Sequence, residues 1–474
     1  VRALTDVVGH GETIVALATA PGRSALALVR LSGSAARDIA RRIGVPEALA
    51  ARAATRVQLH DCDTPTVPLD DALATWFPAP RSPTGEDVLE LSVHGGSYVS
   101  TVVVAALVSA GARPARAGEF SERAVRNGKL DLLQAEAVAD LIDARSRAMH
   151  RTALRQLSGA LSHRLAALRD ALIDVEALIA YEIDFPEEDD GPQPRARAVV
   201  AAERVLAALT ALRGTLPAAE LGRDGVTVVL AGAPNVGKSS LLNALVGDAR
   251  AIVSELPGTT RDAIEVLLDH EPWPLRLVDT AGLRESDDLV ERLGLEVSAR
   301  WLARAQVVLV CGETDAALAQ AATSVGAHSE APQILVRTKG DRASASASGS
   351  GSASGSARRA SNEAGPAGAV VTVSALTGDG LDALRHAITA AVRAAYPEPA
   401  EDQPLVTRAR HEAAVARAAD EVAAFAEAWR ANALPAPVAA THLRAAILAL
   451  DELTGAIDVE DVLERVFRTF CVGK

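Results

Sequence analysis

Apolar positions recur along the chain with changing period, and each period predicts a different kind of element. Up to about residue 125 the runs are short, β-type and separated by Gly or Pro turns. TIVALATAPGRSALALVRLSG (13–33) predicts strand, Pro-Gly turn, strand, and EDVLELSVHGG (86–96) predicts a strand ending in a glycine turn. From about Leu130 the spacing becomes helical, broken only by Gly159 and ended by Pro186. A second helical stretch covers ARAVVAAERVLAALTALRG (196–214). Between Val226 and about Ala394 strand-like and helix-like runs alternate as a βαβ pattern. Within it, residues 342–369 are Gly, Ser and Ala-rich; they cannot bury a core and predict a flexible surface insertion. After YPEPAEDQP, helical spacing resumes near Thr407. The expected organisation is an α/β domain (1–127), a first helical segment (128–220), an inserted P-loop-type α/β domain (221–395) and a second helical segment (396–474). The two helical segments should pack on each other.

Length allows about three domains at ~150 residues each. Aromatics are only 3% of the chain, so the cores are expected to be built from Leu, Val and Ala. Three cysteines, Cys62, Cys311 and Cys471, show no pairing pattern and point to a reducing compartment. No secretory leader is expected, and the longest apolar run, from Val99, is too short to span a bilayer. A soluble, cytoplasmic protein with no membrane partner is the expectation. A formal charge of −13 argues against non-specific polynucleotide binding and leaves room for a specific RNA contact. Cys471 is the fourth residue from the carboxyl end, but Gly473 and Lys474 break the lipidation pattern. It is therefore read as a positioned thiol whose partner site lies elsewhere in the chain.

The densest chemistry is VTVVLAGAPNVGKSSLLNAL, which holds G-x-x-x-x-G-K-S as Gly232, Gly237, Lys238 and Ser239. It follows a β-branched strand and opens a helix, the context this phosphate loop requires. The glycines let backbone N–H groups turn toward a β-phosphate, Lys238 adds charge at β/γ, and Ser239 offers a hydroxyl to Mg²⁺. Downstream, PGTTRD places Thr260 to reach Mg²⁺ in the presence of a γ-phosphate. LRLVDTAGLRE supplies the carboxylate Asp279 and the N–H of Gly282. ILVRTKGD brings Asp341 to pair with guanine N1–H and N2, and Lys339 to lie along the base. VTVSALTGDG brings Ser374 and Ala375 to the guanine oxygen. Five such segments, each at a strand end, predict a guanine-nucleotide site at the carboxyl edge of a parallel sheet.

The set resembles the Ras-like translation-factor-class GTPases, with two departures. Thr338 stands where Asn is usual, and Leu376 where Lys or Arg is common. No Gln follows DTAGL to orient water. Asn235 in the phosphate loop, with SELPGTT as a capping loop, resembles the potassium-activated GTPases, in which K⁺ bridges the phosphate oxygens.

Taken over nearly its whole length, the chain resembles the tRNA-modification GTPases of the MnmE (TrmE) family. Beyond the GTPase segments the resemblance rests on RPARAGEFSERAVRNGKLDLLQAEAVADLIDA, EIDFPEE and DELTGAIDVEDVLERVFRTFCVGK, besides the two N-terminal stretches already quoted. It implies a folate-binding N-terminal domain that also dimerises, a discontinuous helical domain and an inserted Ras-like G domain. It further implies an FAD-containing partner, MnmG, and tRNA as substrate, with an aminomethyl-type group installed on C5 of the wobble uridine. The implied GTP contacts are Asn235, Val236, Gly237, Lys238, Ser239, Ser240, Ser254, Thr259, Thr260, Asp279, Gly282, Thr338, Lys339, Asp341, Ser374, Ala375 and Leu376. Ser239 and Thr260 would hold Mg²⁺; Asn235, Ser254, Leu256 and Thr259 would hold K⁺. Chemistry alone leaves Glu285, Asp287, Asp288 and Glu291 as candidates to orient water, and the family pattern selects Glu291. The implied contacts to 5-formyl-tetrahydrofolate or a related reduced folate are Arg30, Glu90, Lys129 and Lys474, with Cys471 carried near the one-carbon unit.

Two rival classes predict different observations. A regulatory or ribosome-assembly GTPase switch would bind no folate. A folate-dependent one-carbon transferase with a vestigial G domain would turn over no GTP.

Overall fold

The computed structural model describes residues 11–184, 195–248, 251–252, 264–279, 300–342, 370–396, 403–455, 466–467 and 470–473. Their contacts divide the chain into two compact units. One comprises residues 1–139, 157–206 and 417–474, the other 140–156 and 207–416.

The first unit opens with β1 (Ile14–Leu17), β2 (Leu26–Ser32), α1 (Ala36–Arg42), β3 (Ala54–His60), β4 (Pro68–Phe77), β5 (Val88–His94), α2 (Ser97–Ser109), β6 (Arg113–Pro114) and α3 (Glu119–Arg126). The strands form one sheet in the order β3-β4-β5-β2-β1-β6. All neighbours are antiparallel except β6, which lies parallel to β1. Period-two alternation sets the faces. Val29, Leu31, Leu89, Leu91 and Val93 enter a core with Ile39, Val103 and Leu107 from α1 and α2. Arg30 and Glu90 fall on the other parity and pair across β2 and β5.

Helices follow as α4 (Leu132–Asp143), α5 (Arg147–Leu157), α6 (Ala160–Asp184), α7 (Arg195–Arg213) and α8 (Leu216–Asp224). The expected single break at Gly159 is joined by a second at residues 144–146. Its cause is local: the Ser146 hydroxyl accepts from Met149 N at 3.1 Å, so serine caps a new helix.

In the second unit the inserted domain comprises β7 (Val226–Ala231), α9 (Lys238–Asp248), β8 (Ala251–Ile252), β9 (Ile264–Leu268), β10 (Leu275–Asp279), β11 (Val307–Gly312), α10 (Asp315–Gly326), β12 (Gln333–Arg337), β13 (Val371–Thr372) and α11 (Leu381–Ala395). Its seven strands run β13-β12-β11-β7-β10-β9-β8, parallel from β13 to β10 and antiparallel beyond. β11, VVLVCG, is buried at every position, as expected of a central strand covered on both faces. The chain then forms α12 (Ala409–Arg430) and α13 (Ala436–Thr454). Within the first unit α13 packs along α6, where Arg169 meets Asp451 at 2.8 Å and Arg444 meets Glu176 at 2.7 Å. The helical stretches on either side of the βαβ block therefore do join. The fold is multidomain α/β plus α. Among the described residues, no helix is long and apolar enough to cross a membrane. Most of the low-complexity insertion lies outside the described residues.

Candidate functional site

The carboxyl ends of β7, β10, β11 and β12 converge on the loop between β7 and α9. Gly232 sits at φ 145°, and a Cβ there would lie 2.3 Å from the Cys311 carbonyl, so the loop needs glycine to pass β11. Asn235 takes a left-handed φ of 62°, unusual for a side-chain-bearing residue. Lys238 is buried, and its ammonium donates back to the loop carbonyls of Gly232 (2.9 Å) and Ala233 (2.8 Å). That arrangement holds a cation over the cradle before any anion arrives. The Ser239 hydroxyl donates to Asp279 Oδ2 at 2.6 Å, and Asp279 is fully buried at the end of β10. A hydroxyl beside a carboxylate is a hard-oxygen donor set that fits Mg²⁺. Ser240 is exposed on the first turn of α9, and Val236 is buried beneath the loop.

The base-side segments close the same rim. Thr338 follows β12 and is buried; its hydroxyl donates to Val236 O at 2.5 Å and lies 3.4 Å from Gly312 O. Its hydroxyl is thus a donor that ties the phosphate loop to β12. Lys339, also left-handed at φ 58°, donates to Asn235 O at 3.1 Å and pairs with Glu313. Ser374 Oγ donates to Asp341 Oδ1 at 2.9 Å, so the last-strand loop orients the carboxylate assigned to guanine. Ala375 is half-buried and Leu376 is 85% exposed. Burial pushes the Cys311 thiol up to about 12, against the opposing pull of Lys238, which leaves it inert beside the loop. Ser254, Leu256, Thr259, Thr260, Gly282 and Glu291, together with Glu285, Asp287 and Asp288, lie outside the described residues. Of the K⁺ ligands only Asn235 is described.

A second group of assigned residues meets in the first unit. Arg30 Nε and one terminal nitrogen donate to Glu90 Oε1 at 3.0 and 2.8 Å, and the guanidinium lies 5.7 Å over the Phe120 ring. Both charges are half-buried, with side chains 23% and 19% exposed. Both hydrogen bonds end on Oε1 of Glu90. The tail returns here. Cys471 O accepts from Gly118 N at 3.3 Å, and Val472 bridges Ala117. Gly473, at φ 97°, lies so close to β1 that a Cβ would stand 2.3 Å from Leu17 O. Phe467 and Phe470 anchor this return against Leu132 and Ala135. Cys471 itself is exposed. Lys129 is held elsewhere, donating to Pro80 O at 3.1 Å, and Lys474 lies outside the described residues.

Sequence reasoning did not reveal what supports this second group. Glu119, buried at the start of α3, accepts from Arg113 (2.6 Å), Arg116 N (2.8 Å) and Arg123 (3.1 Å). Burial alone would raise its pKa, but these donors outweigh it and hold the carboxyl down at about 2. The dense charge of RPARAGEFSERA (113–124) was the available signal.

Comparison with known proteins adds the last observation. The family profile for the MnmE helical domain matches residues 132–471, and that for the GTP-binding protein TrmE N-terminus matches residues 13–129. The tRNA modification GTPase MnmE of Azoarcus sp. (strain BH72) is 42% identical over 467 residues, covering 98% of each chain. That of Methylorubrum populi is 42% identical over 469 residues, again covering 98% of each. Among solved structures, the G domain of the T. maritima FeoB iron transporter is 24% identical, covering 35% of this chain and 98% of its own, with a TM-score of 0.24. Aquifex aeolicus Era bound to GDP.AlF4- is 24% identical, covering 41% of this chain and 66% of its own, with a TM-score of 0.25. The whole-length similarity, together with a phosphate loop and the Ser239–Asp279 hydrogen bond on one sheet edge, shows that this chain is a GTP-hydrolysing enzyme and belongs to the tRNA modification GTPase MnmE family.

Proposed function

We propose that this chain couples GTP hydrolysis to modification of the wobble uridine of certain tRNAs. It acts as a homodimer with MnmG, an FAD protein, to add a (carboxymethyl)aminomethyl group at C5. The observation that carries this reading is the coexistence of two sites on one chain. One is a GTP cradle, and the other is the half-buried Arg30–Glu90 pair beside the returning tail, which a simple switch would not need.

In the GTP site Lys238 neutralises β- and γ-phosphate oxygens, and backbone N–H groups of the Gly232–Gly237 loop cradle the β-phosphate. Ser239 and Thr260, with Asp279 beside Ser239, would hold Mg²⁺, which would supply charge neutralisation to the phosphates. Asn235, Ser254, Leu256 and Thr259 would hold K⁺, which would supply further positive charge to the phosphates, and turnover would depend on G-domain dimerisation. Glu291 orients the attacking water. Asp341, aligned by Ser374, reads guanine. In the first unit Glu90, Arg30, Lys129 and Lys474 bind 5-formyl-tetrahydrofolate or a related reduced folate, the source of the added carbon. The protein works in the cytoplasm.

The test compares GTP turnover in KCl and NaCl with 5-formyl-tetrahydrofolate binding by calorimetry and wobble-uridine mass spectrometry of tRNA from cells that lack the protein. Faster turnover in K⁺, folate binding and loss of the modified uridine are expected. Turnover without folate binding and with normal uridine modification would leave only a GTPase switch.

A further inference from the structure

The segment from Ala144 to Arg169 contains Arg145, Arg147, Arg151, Arg155, Arg164 and Arg169, with His150 and His163, and no carboxylate. In a chain of formal charge −13 this is a local reversal of sign. Helix α5 sorts the charge onto one side. At 100° per residue, Arg147, His150, Arg151, Leu154 and Arg155 share one arc, and Ala148, Thr152, Ala153 and Gln156 lie on the remainder. Burial follows that division. Ala148, Ala153 and Gln156 are buried at 4%, 3% and 5%, whereas Arg147, His150, Arg151 and Leu154 are exposed and Arg155 is half-buried. The inner face is fixed: Gln156 Nε2 donates to Leu405 O (3.4 Å) and Thr407 Oγ1 (3.3 Å) and helps line a cavity of about 210 Å³ with Asp140 and Arg223. The helix therefore cannot roll its arginines inward.

We propose that the outer face of α5 is a docking surface for tRNA, with Arg147, Arg151 and Arg155 tracking backbone phosphates and Leu154 offering apolar contact; the inference rests on the tRNA reading above. Charge complementarity selects the occupant. Three guanidiniums rise at four-residue intervals, about 6 Å apart along the axis, and guanidinium matches phosphate by bidentate donation. Acids lie near Arg147 at the amino end of the helix. Asp143 is exposed ahead of the helix, Asp269 Oδ1 accepts from Arg147 N, and Glu271 lies 3.8 Å from the Arg147 guanidinium, an exposed pair with little hold. The two turns from His150 to Arg155 carry no acid.

The experiment measures binding of an unmodified tRNA transcript to the full-length chain across a salt series, for wild type, Arg147→Gln/Arg151→Gln and Arg151→Lys. Each lost phosphate contact should lower the log–log salt slope by roughly 0.7–0.9, which is ~5–8-fold in affinity at 0.1 M relative to 1 M salt. The double variant should thus lose tens of fold in affinity and up to ~2 in slope, with GTP turnover unchanged. The Lys variant should keep the wild-type salt slope, because the charge is retained, and lose only the few-fold in affinity that the second hydrogen bond of the fork contributes. A double variant with wild-type affinity and slope overturns the proposal while leaving the tRNA reading intact. A variant that keeps tRNA but loses MnmG identifies a protein-docking face and overturns it as well. A wild type that binds no tRNA overturns both readings.

Discussion

Replacing Glu119 by Gln should loosen the part of the first unit that receives the tail, by an amount the geometry fixes. The carboxylate stands among Arg113, Arg116 N and Arg123 and is held at about 2 against an ordinary 4.5. That difference corresponds to about 3 kcal/mol of charge-linked stability at 1.36 kcal/mol per unit. The sign follows from the depressed value: the contribution is complete above pH 4.5 and is lost as pH falls toward 2. Gln keeps the shape but turns one oxygen into an N–H₂ donor among guanidinium donors, leaving buried Arg123 under-paired. Glu119 directly follows Gly118, whose N–H donates to Cys471 O, so the loss should reach the tail contact. Hydrogen exchange by mass spectrometry at pH 7 provides a local readout. Peptides covering 113–126 should lose on the order of a hundredfold in protection, two decades at 1.4 kcal/mol each. In the wild type, the same peptides should lose protection on acidification below pH 4.5, and the Gln variant should lack that dependence. Exchange in the variant within threefold of wild type would refute the account of this network.

Gly473→Ala puts a Cβ against Leu17 O and should cut 5-formyl-tetrahydrofolate affinity at least ~10-fold by calorimetry, with GTP turnover within twofold. Thr338 has a single hydroxyl proton, already given to Val236 O, so GTP and 7-deaza-GTP should bind alike within twofold. Thr338→Asn should favour GTP by ~2–12-fold, the worth of one neutral hydrogen bond, and equal binding to the Asn variant would refute this. Asn235→Ala should abolish any advantage of KCl over NaCl in turnover; retention of that advantage removes Asn235 from the K⁺ set. Glu291→Ala should keep GTP affinity but slow hydrolysis by ~10²–10⁴-fold in single-turnover assays, and an unchanged rate would return the role to its acidic neighbours.

The phosphate loop was legible in the sequence because its requirements are local. Gly232 is there to pass the Cys311 carbonyl, Lys238 and Ser239 open a helix, and a β-branched strand precedes them. β2 and β5 were legible as strands for the same reason, whereas Arg30 and Glu90 were implied only by the resemblance. Their direct pairing was not legible, because register is a property of two strands 60 residues apart. Thr338 was recognised as a departure, but only the fold shows where its proton goes. The break before α5 was missed because Ser146 acts as a cap within a segment whose apolar period never falters. The pairing of Arg113 and Arg123 with Glu119 was not legible, because it exists only once Glu119 is buried at the start of α3.

The return of Cys471 to Gly118 also imposes an order on biosynthesis. The ribosome releases Gly118 about 350 residues before Cys471 exists. At ~5–20 residues per second that interval is on the order of tens of seconds. During it the nascent N-terminal sheet must persist with the Gly118 N–H wetted rather than bonded and the strip beside Leu17 bare. The wall beside Arg30 and Glu90 is finished only when the last segment emerges, so a prematurely terminated chain carries the GTP cradle without a closed second site. The GTP cradle can therefore be complete before the wall beside Arg30 and Glu90 is, and translation itself separates the two in time.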